Sequence, residues 1–163
     1  MEIRSILLAC FWTIINICLS GCNRQANTLV PDIGIPEEEM NSRVQLEAPE
    51  GWNTFKNGEV IGLNIIVISD DQIAIKSDGA KIFLLQDGVW EEIPNLLKYP
   101  AGFNLFSPSK DDPFEQGAIA ILPQIPKEVQ TVKLRIVLIG NIYRNGQITD
   151  DQTAAYIDVE LTP

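Results

Sequence analysis

Two segments of alternating apolar and polar residues, with a tight-turn pair between them, constrain the fold most strongly. Residues 131–143 (TVKLRIVLIGNIY) and 153–161 (TAAYIDVEL) both carry apolar residues at every second position over most of their length. This period is that of a half-buried β-strand. Asn145-Gly146 lies between them, and Asn-Gly is typical of a β-hairpin turn. The residues of the second segment expected to face inward are Ala155, Ile157, Val159 and Leu161.

Similar strand-like patterns recur in the rest of the chain from Val44 onward. Strand-like segments recur at regular spacing, and none of the chain between them has a convincing helical period. Asp87-Gly88 separates two of the segments and suits the positive φ angles of a type I′ hairpin turn. Gly140 is expected to mark a bulge or kink in its strand. The further predicted strands are 44–48, 59–69, 72–76, 81–86, one after Gly88, and 117–123.

Seven or eight short strands in residues 44–163 suit one antiparallel sandwich domain. Residues 121–140 (ILPQIPKEVQTVKLRIVLIG) resemble the E–F corner of immunoglobulin-like and fibronectin type III modules, where a proline-containing turn precedes a long alternating strand. The chain departs from that pattern in having no tyrosine near the start of the strand. The resemblance implies an all-β, immunoglobulin-like antiparallel β-sandwich, with a small barrel as the alternative.

The amino-terminal segment has the composition of an export signal. Residues 5–19 carry no charge, and they are fewer than the roughly 20 apolar residues that a membrane-spanning helix needs. A charged head, an apolar segment and small residues before a cleavage site are typical of a secretory signal. Residues 1–21 are therefore predicted to be removed.

The end of that segment carries a more specific motif. Leu19-Ser20-Gly21-Cys22 resembles the lipobox of bacterial lipoproteins. The resemblance implies a diacylglyceryl thioether on Cys22, with an additional N-acyl group as an option, and no other cofactor. It places the protein in the cell envelope, lipid-anchored on the extracytoplasmic side. Asn23 is not the aspartate of an inner-membrane retention signal, which implies the outer membrane in a two-membrane bacterium and otherwise the outer leaflet of the plasma membrane.

Two other interpretations of this region remain: an ordinary secretory signal with a chance cysteine, and a buried strand of a cytosolic protein. Residues 22–43 have no regular period and contain the acidic run Glu37-Glu38-Glu39. Such composition favours a flexible acidic tether between the lipid and the domain. The alternative is that residues 28–36 (TLVPDIGIP) lie against the domain as an extra edge strand.

Charge and composition exclude several function classes. The formal net charge is −10 and the chain contains no histidine. An acidic domain is repelled by phosphate backbones, so no nucleic-acid partner is expected. Without histidine, triad catalysis and imidazole metal ligation are removed. Cys10 and Cys18 lie in the predicted signal and Cys22 carries the lipid, so no cysteine metal site is expected either. We therefore expect no enzyme and no zinc or copper site.

Two motifs suggest chemistry, and each also has a simple structural interpretation. Ser107 and Lys110 fit the S-x-x-K spacing of serine–lysine acyl enzymes, but the prolines around them favour a polar turn. Aspartates at strand ends, namely Asp70, Asp111 and Asp150, are weak candidates for a calcium site or for a carboxylate-dependent enzyme. Turn-capping by the same carboxylates is the simpler interpretation.

Aromatic residues in connecting segments are the candidate contact residues. Residues 98–117 are predicted to form a long loop, and Trp90 is expected to be a cross-strand packing residue. Closing the end of the sandwich is the alternative role for Phe103 and Phe106. The candidate binding residues are Tyr99, Phe103, Phe106 and Phe114 in this loop, with Trp52 and Phe55 as a second group.

These features favour a non-catalytic binding or assembly module, attached to the membrane by lipid, with an envelope protein or a glycan as its partner. A protease-inhibitor-like immunoglobulin-fold domain is the alternative, with residues 106–114 (FSPSKDDPF) as the inhibitory loop. A carboxylate-dependent enzyme is the second alternative, and it would require two inward-facing acids in a pocket.

Overall fold

The structure is a computed structural model that describes residues 31–49, 54–56, 58–98, 100–109, 114–121 and 131–162, with only the backbone described for 114–121. The predicted signal, the lipobox and Cys22 lie outside the described residues. In the part that is described, no helix is long and apolar enough to cross a membrane. The elements described are a 3₁₀ turn, Glu37–Glu39, and nine strands: β1 Val44–Glu47, β2 Thr54–Lys56, β3 Val60–Val67, β4 Gln72–Gln86, β5 Val89–Ile93, β6 Phe103–Phe106, β7 Phe114–Ile121, β8 Val132–Arg144 and β9 Gln147–Thr162.

The strands form two sheets. The small sheet has the order β1-β3-β7, and the large sheet has the order β2-β9-β8-β4-β5, with β6 also paired to β4. β2 pairs with β9 in parallel, whereas every other described pair is antiparallel. The predicted all-β, two-layered fold is confirmed. Seven or eight strands with purely antiparallel pairing were predicted, whereas nine strands are described and β2 pairs in parallel. The short strands β2 and β6 were missed because neither is long enough to show a period.

Both predicted hairpin turns are present. Asp87 and Gly88 have φ angles of 51° and 80°, and Asn145 and Gly146 have φ angles of 53° and 81°. Positive φ at both central residues defines the type I′ turn, whose twist matches that of the flanking strands. These turns fix the register of β4 with β5 and of β8 with β9.

The predicted strands 72–76 and 81–86 are parts of one strand, β4, that is 15 residues long. Its pairing with β8 is interrupted between Ile75 and Ala80, directly after the pair formed by Ile75 and Gly140. A Cβ atom on Gly140 would lie 2.6 Å from Cγ2 of Ile73. The irregularity predicted at Gly140 is thus found beside it, with the extra residues in β4, and the absence of a side chain at Gly140 leaves room for Ile73 and Ile75.

An inner core fills the space between the two sheets. It is purely apolar and combines alternate residues of β1 and β3 with alternate residues of β4, β8 and β9. The predicted inward residues Ala155, Val159 and Leu161 are buried there, and Ile157 packs against them. The core members in the small sheet are Val44, Leu46, Ile61, Leu63, Ile65 and Val67, and those in the large sheet include Ile73, Ile75, Ile82, Leu134, Ile136, Leu138 and Ile142.

A second cluster lies on the opposite, outer face of the large sheet. Residues 31–41, here called the strap, cover part of this face, with Met40 buried and Ile33 and Ile35 half-buried. The prediction of a flexible tether is therefore wrong for residues 31–41. The alternative of an edge strand is also not what these residues form, since they lie on the sheet face. The remaining predicted tether, residues 22–30, lies outside the described residues.

The predicted loop 98–117 is also corrected. It contains β6 and the beginning of β7. β6 pairs with the first half of β4, on the same side on which β5 pairs with the second half. The loop interpretation failed because a four-residue strand among prolines and glycines lacks a detectable period.

Candidate functional site

The outer face of the large sheet is the candidate site, and it has a covered and an open part. The covered part is centred on Arg135 of β8. Asp158 of β9 lies directly opposite Arg135 in the antiparallel register. Arg135 Nε donates to Asp158 Oδ1 at 2.7 Å, and Nη2 donates to Oδ2 at 3.0 Å. This two-bond geometry fixes the plane of the guanidinium group.

Two aromatic rings complete the surroundings of Arg135. Its Cζ lies 4.1 Å from the ring centre of Tyr156 and 4.9 Å from that of Trp90, which are cation–π distances. Burial acts to lower the pKa of Arg135, but the hydrogen bonds and charge of Asp158, aided by Tyr156 and Glu37, outweigh it and raise the pKa. Arg135 is therefore a fixed positive charge that is paired with Asp158 and packed against the rings of the outer cluster.

The strap closes over this cluster through a few specific contacts. Arg135 Nη1 donates to Glu37 Oε1 at 3.2 Å. The backbone N–H of Asn41 donates to the carbonyl of Ala154 at 2.9 Å, and Asn41 Oδ1 accepts from the N–H of Tyr156 at 2.8 Å. Asn41 has a φ of 60°, a left-handed conformation that asparagine tolerates well. Asn41 thus fastens one end of the strap to β9.

The open part begins at β6. Phe103 and Leu105 are two residues apart and face the same way, opposite Lys76 and Ala74 of β4. Ala74 and Lys76 alternate along β4 with Ile73 and Ile75, which point into the inner core. Phe103 and Leu105 therefore lie on the outer face of the sheet. Phe103 is 47% exposed and Leu105 is 48% exposed. Two adjacent large apolar side chains are therefore accessible on one edge of the face.

A second apolar pair lies at the other side of the same face. Ile148 of β9 is 41% exposed and pairs with half-buried Tyr143 of β8. Tyr143 in turn lies opposite Gln72 of β4. The two pairs lie on the same face, with Gln72, Ala74 and Lys76 of β4 between them. We call these four residues the open patch: Phe103, Leu105, Tyr143 and Ile148.

The structure separates the predicted contact residues. Phe103 is exposed as a contact residue requires, whereas Phe106 packs against the inner core. Phe55 is 1% exposed within that core, so its prediction as a surface contact is wrong. Trp90 lies opposite Leu85 and is buried in the outer cluster, which confirms its cross-strand packing role. Tyr99, Trp52 and the side chain of Phe114 lie outside the described residues.

Ser107, the serine of the S-x-x-K motif, has a structural partner, and so does the nearby Ser109. Ser107 Oγ accepts from Nε2 of Gln72 at 2.9 Å. Ser109 is buried, its N–H donates to the carbonyl of Val67 at 3.0 Å, and its Oγ accepts from the N–H of Val67 at 3.2 Å. Lys110 lies outside the described residues. These contacts fasten the chain after β6 to the end of β3, as a turn requires.

The aspartates at strand ends that the structure describes have ordinary surface positions or ion-pair partners. Within the described residues, no group of three or more Asp or Glu side chains is placed to hold a metal ion, and Asp111 lies outside them. Asp71 instead pairs with Arg144, whose Nε and Nη2 lie 2.9 and 2.6 Å from its oxygens. The Arg144 hydrogen bonds are the main reason that the pKa of Asp71 is lowered; burial opposes this, and the charges of Arg144 and Arg43 add to it.

A cleft of about 520 Å³ lies beside the β4 bulge. Lys81 and Glu92 on its wall form an ion pair with a 3.2 Å separation, which neutralises both charges. Its other lining residues are Asp78, Ala80, Ile93, Pro94 and Asn95. The cleft is lined by a mixture of charged, polar and apolar side chains. The outer face, in contrast, has neighbouring exposed apolar side chains.

Sequence reasoning missed Arg135, Leu105, Tyr143 and Ile148. One signal was available: β8 has apolar Val137 and Ile139 on the face opposite to its inward residues, so part of that face must be covered. The outer face therefore has exposed apolar side chains near Tyr143 of β8 and a buried arginine, Arg135, eight residues earlier on the same strand. Comparison of the chain with protein-family models, with curated proteins and with solved structures gave no significant match.

Proposed function

We propose that this protein is a membrane-anchored extracytoplasmic lipoprotein whose domain is a non-catalytic binding module for another envelope protein. The open patch is its contact surface. The observation that carries the binding role is the pair of neighbouring exposed side chains on β6, Phe103 and Leu105. Exposed apolar groups that are contiguous on one face mark interaction sites, whereas single ones do not.

The proposed fold is immunoglobulin-like, and the strand order supports it. In such domains strands A, B and E form one sheet, and G, F, C and C′ form the other. The small sheet β1-β3-β7 corresponds to A-B-E, and the run β9-β8-β4-β5 corresponds to G-F-C-C′. Domains of this architecture commonly bind through a sheet face or through loops at one end.

The chemistry of the open patch favours a protein partner over a glycan. Leu105 and Ile148 are aliphatic and half-exposed, and such side chains bury well against apolar protein surface. Sugars bind through aromatic stacking and many polar groups, and here only Phe103 and Tyr143 offer rings.

The binding role is tested by capture from envelope extracts with the full-length, detergent-solubilised protein. The double variant Phe103→Ser, Leu105→Ser is expected to lose the partner that the wild type captures. The matched control is Val89→Ser, since Val89 is 45% exposed at the β4–β5 hairpin, away from the open patch. Equal capture by all three proteins contradicts the proposal. A wild-type protein that binds purified envelope glycans, and loses them in the double variant, assigns the patch to a glycan instead.

The anchor is tested separately. Mass spectrometry of the protein from its native membrane is expected to show an amino terminus at Cys22 that carries a diacylglyceryl group. Cys22→Ser is expected to move the protein from the membrane fraction to the soluble fraction while the domain stays folded. An unprocessed amino terminus or an unmodified thiol at Cys22 contradicts the lipoprotein assignment and leaves the binding test unaffected.

A further inference from the structure

The strap lies on the large sheet in the manner of a bound peptide. Its backbone hydrogen bonds between residues 31 and 40 are local, for example from the N–H of Glu39 to the carbonyl of Pro36 at 3.0 Å. It contacts the sheet mainly through side chains, with Pro31 and Met40 buried and two isoleucines half-buried. A segment that is held by side chains and not by a strand ladder has the contact pattern of a ligand.

The surface beneath the strap has the composition of a recognition site. Arg135 lies between Trp90 and Tyr156, and Phe83 and Val137 form an apolar floor beside it. Tryptophan, tyrosine and arginine dominate the residues that carry binding energy at protein interfaces. We call this surface the groove. It selects an extended segment that offers aliphatic side chains, proline and a carboxylate, as the strap does.

The contact between Glu37 and Arg135 can open without leaving a buried charge unpaired. The side chain of Glu37 is 40% exposed, whereas that of Arg135 is 10% exposed. When Glu37 leaves, Arg135 keeps both hydrogen bonds to Asp158 and both aromatic rings. An ion pair with one partner this exposed contributes little stability in water. The groove therefore keeps its shape and charge when the strap departs.

We propose that the groove is a binding site for an extended acidic, proline-containing segment of a partner protein, and that residues 31–40 occupy it as an internal ligand which the partner displaces. Charge complementarity selects the acidic segment, since Arg135 presents Nη1 toward the strap. The groove and the open patch lie on the same face of the large sheet, since Ile139 and Tyr143 are on one face of β8 with Asn141 between them. The inference does not depend on the lipid anchor.

The first measurement is hydrogen exchange on the full-length protein. Glu37→Lys places a positive charge against Arg135 and is expected to open the strap, so that the amides of Asn41 and Tyr156 exchange at least tenfold faster. Glu38→Lys is the matched control, because Glu38 is exposed, lies in the same 3₁₀ turn and gives the same change in net charge. Amides of the inner core, such as that of Ile136, are expected to be unchanged in both. If the Lys variants fold poorly, Asn41→Ala, which removes the acceptor of the Tyr156 N–H, opens the strap instead, and faster exchange of Tyr156 than in Glu38→Gln is the expected result.

The second measurement uses a fluorescent peptide of residues 31–41. We expect it to bind the Glu37→Lys protein at least tenfold more tightly than the Glu38→Lys protein or the wild type, whose grooves are occupied. The same peptide with its own Glu37→Lys change is expected not to bind. Three results overturn the proposal: equal exchange rates in the two Lys variants, no peptide binding to the opened protein, or strap exchange between two copies detected as a dimer by light scattering.

Discussion

The inner core and the outer cluster are both buried, but they are built in different ways. The inner core joins two sheets and consists of apolar side chains that alternate along strands. The outer cluster joins a sheet to the strap, and it contains Arg135 with its ring partners and an ion pair. A core between two sheets is fixed by many long-range strand contacts. A cluster beneath a strap is fixed by a single segment, so it can open while the rest of the fold remains.

This difference predicts unequal costs for removing the same side chain from each region. Phe55 lies in the inner core at 1% exposure, and Phe83 lies in the outer cluster at 5% exposure. Phe55→Ala is expected to cost about 3–5 kcal/mol, since the sheets cannot close around the cavity. Phe83→Ala is expected to cost less, because the strap can settle into the space. Urea unfolding of both variants measures the difference; equal costs would show that the strap is as rigid as a sheet.

The packing between β4 and β8 gives the next largest effect. A Cβ atom on Gly140 meets Ile73 Cγ2 at 2.6 Å, Ile75 Cγ1 at 3.1 Å and the carbonyl of Ala74 at 3.3 Å. Gly140→Ala is therefore expected to destabilise the inner core by about 1–3 kcal/mol through overpacking. Gly102→Ala is the control, because the nearest atom to its Cβ would be Ser77 Oγ at 3.7 Å. Similar unfolding free energies for the two variants would contradict the close approach.

Outside both buried regions, the pair of Asp71 and Arg144 gives a pH-dependent effect. The pKa of Asp71 is lowered in the folded protein, chiefly by the hydrogen bonds from Arg144. The stability that the ionised Asp71 adds is therefore fully present above the pKa of the unfolded carboxyl, about 4, and is lost as the pH falls through the lower pKa of the folded state. Asp71→Asn is expected to be less stable than the wild type at pH 7, and this difference should shrink below about pH 4. Urea midpoints between pH 7 and pH 2 test this, with Asp78→Asn as the control; a constant difference would refute it.

The smallest effect on stability is expected in the open patch. Phe103→Ser should change the unfolding free energy by less than about 0.5 kcal/mol, because the side chain is already half in water. Phe106, at the other end of β6, packs against the inner core. Phe106→Ser is therefore expected to lower the unfolding free energy by about 1–3 kcal/mol. Thermal unfolding of the two variants tests the assignment of the faces. A larger loss for Phe103→Ser would place that residue inside a packed region.

Period-2 patterns and turn pairs predicted the inner core and both hairpins, because a strand's burial follows from its own alternation. The strap was beyond such reasoning. Ile33, Ile35 and Met40 have no regular spacing, and their burial depends on a face formed by residues far along the chain. Arg135 was missed for a related reason: its role depends on rings from β5 and β9, and the pattern of β8 alone shows only a polar residue.

β6 and the open patch illustrate a further limit. Four residues cannot show a period, so β6 was predicted as loop, and Leu105 was not selected as a contact residue. Phe103 was selected because aromatic residues in connecting segments suggested contacts. Its neighbour became apparent only from the pairing of β6 with β4, which places Phe103 and Leu105 on one face.

The position of β9 has a consequence for the order of folding. β9 lies between β8 and β2, and its parallel partner β2 precedes it by about a hundred residues, as in the pair Thr54 and Glu160. Until residues 147–162 have left the ribosome, β2 has nothing to pair with and the large sheet lacks an interior member. We therefore expect the large sheet to be completed only after β9 has been synthesised.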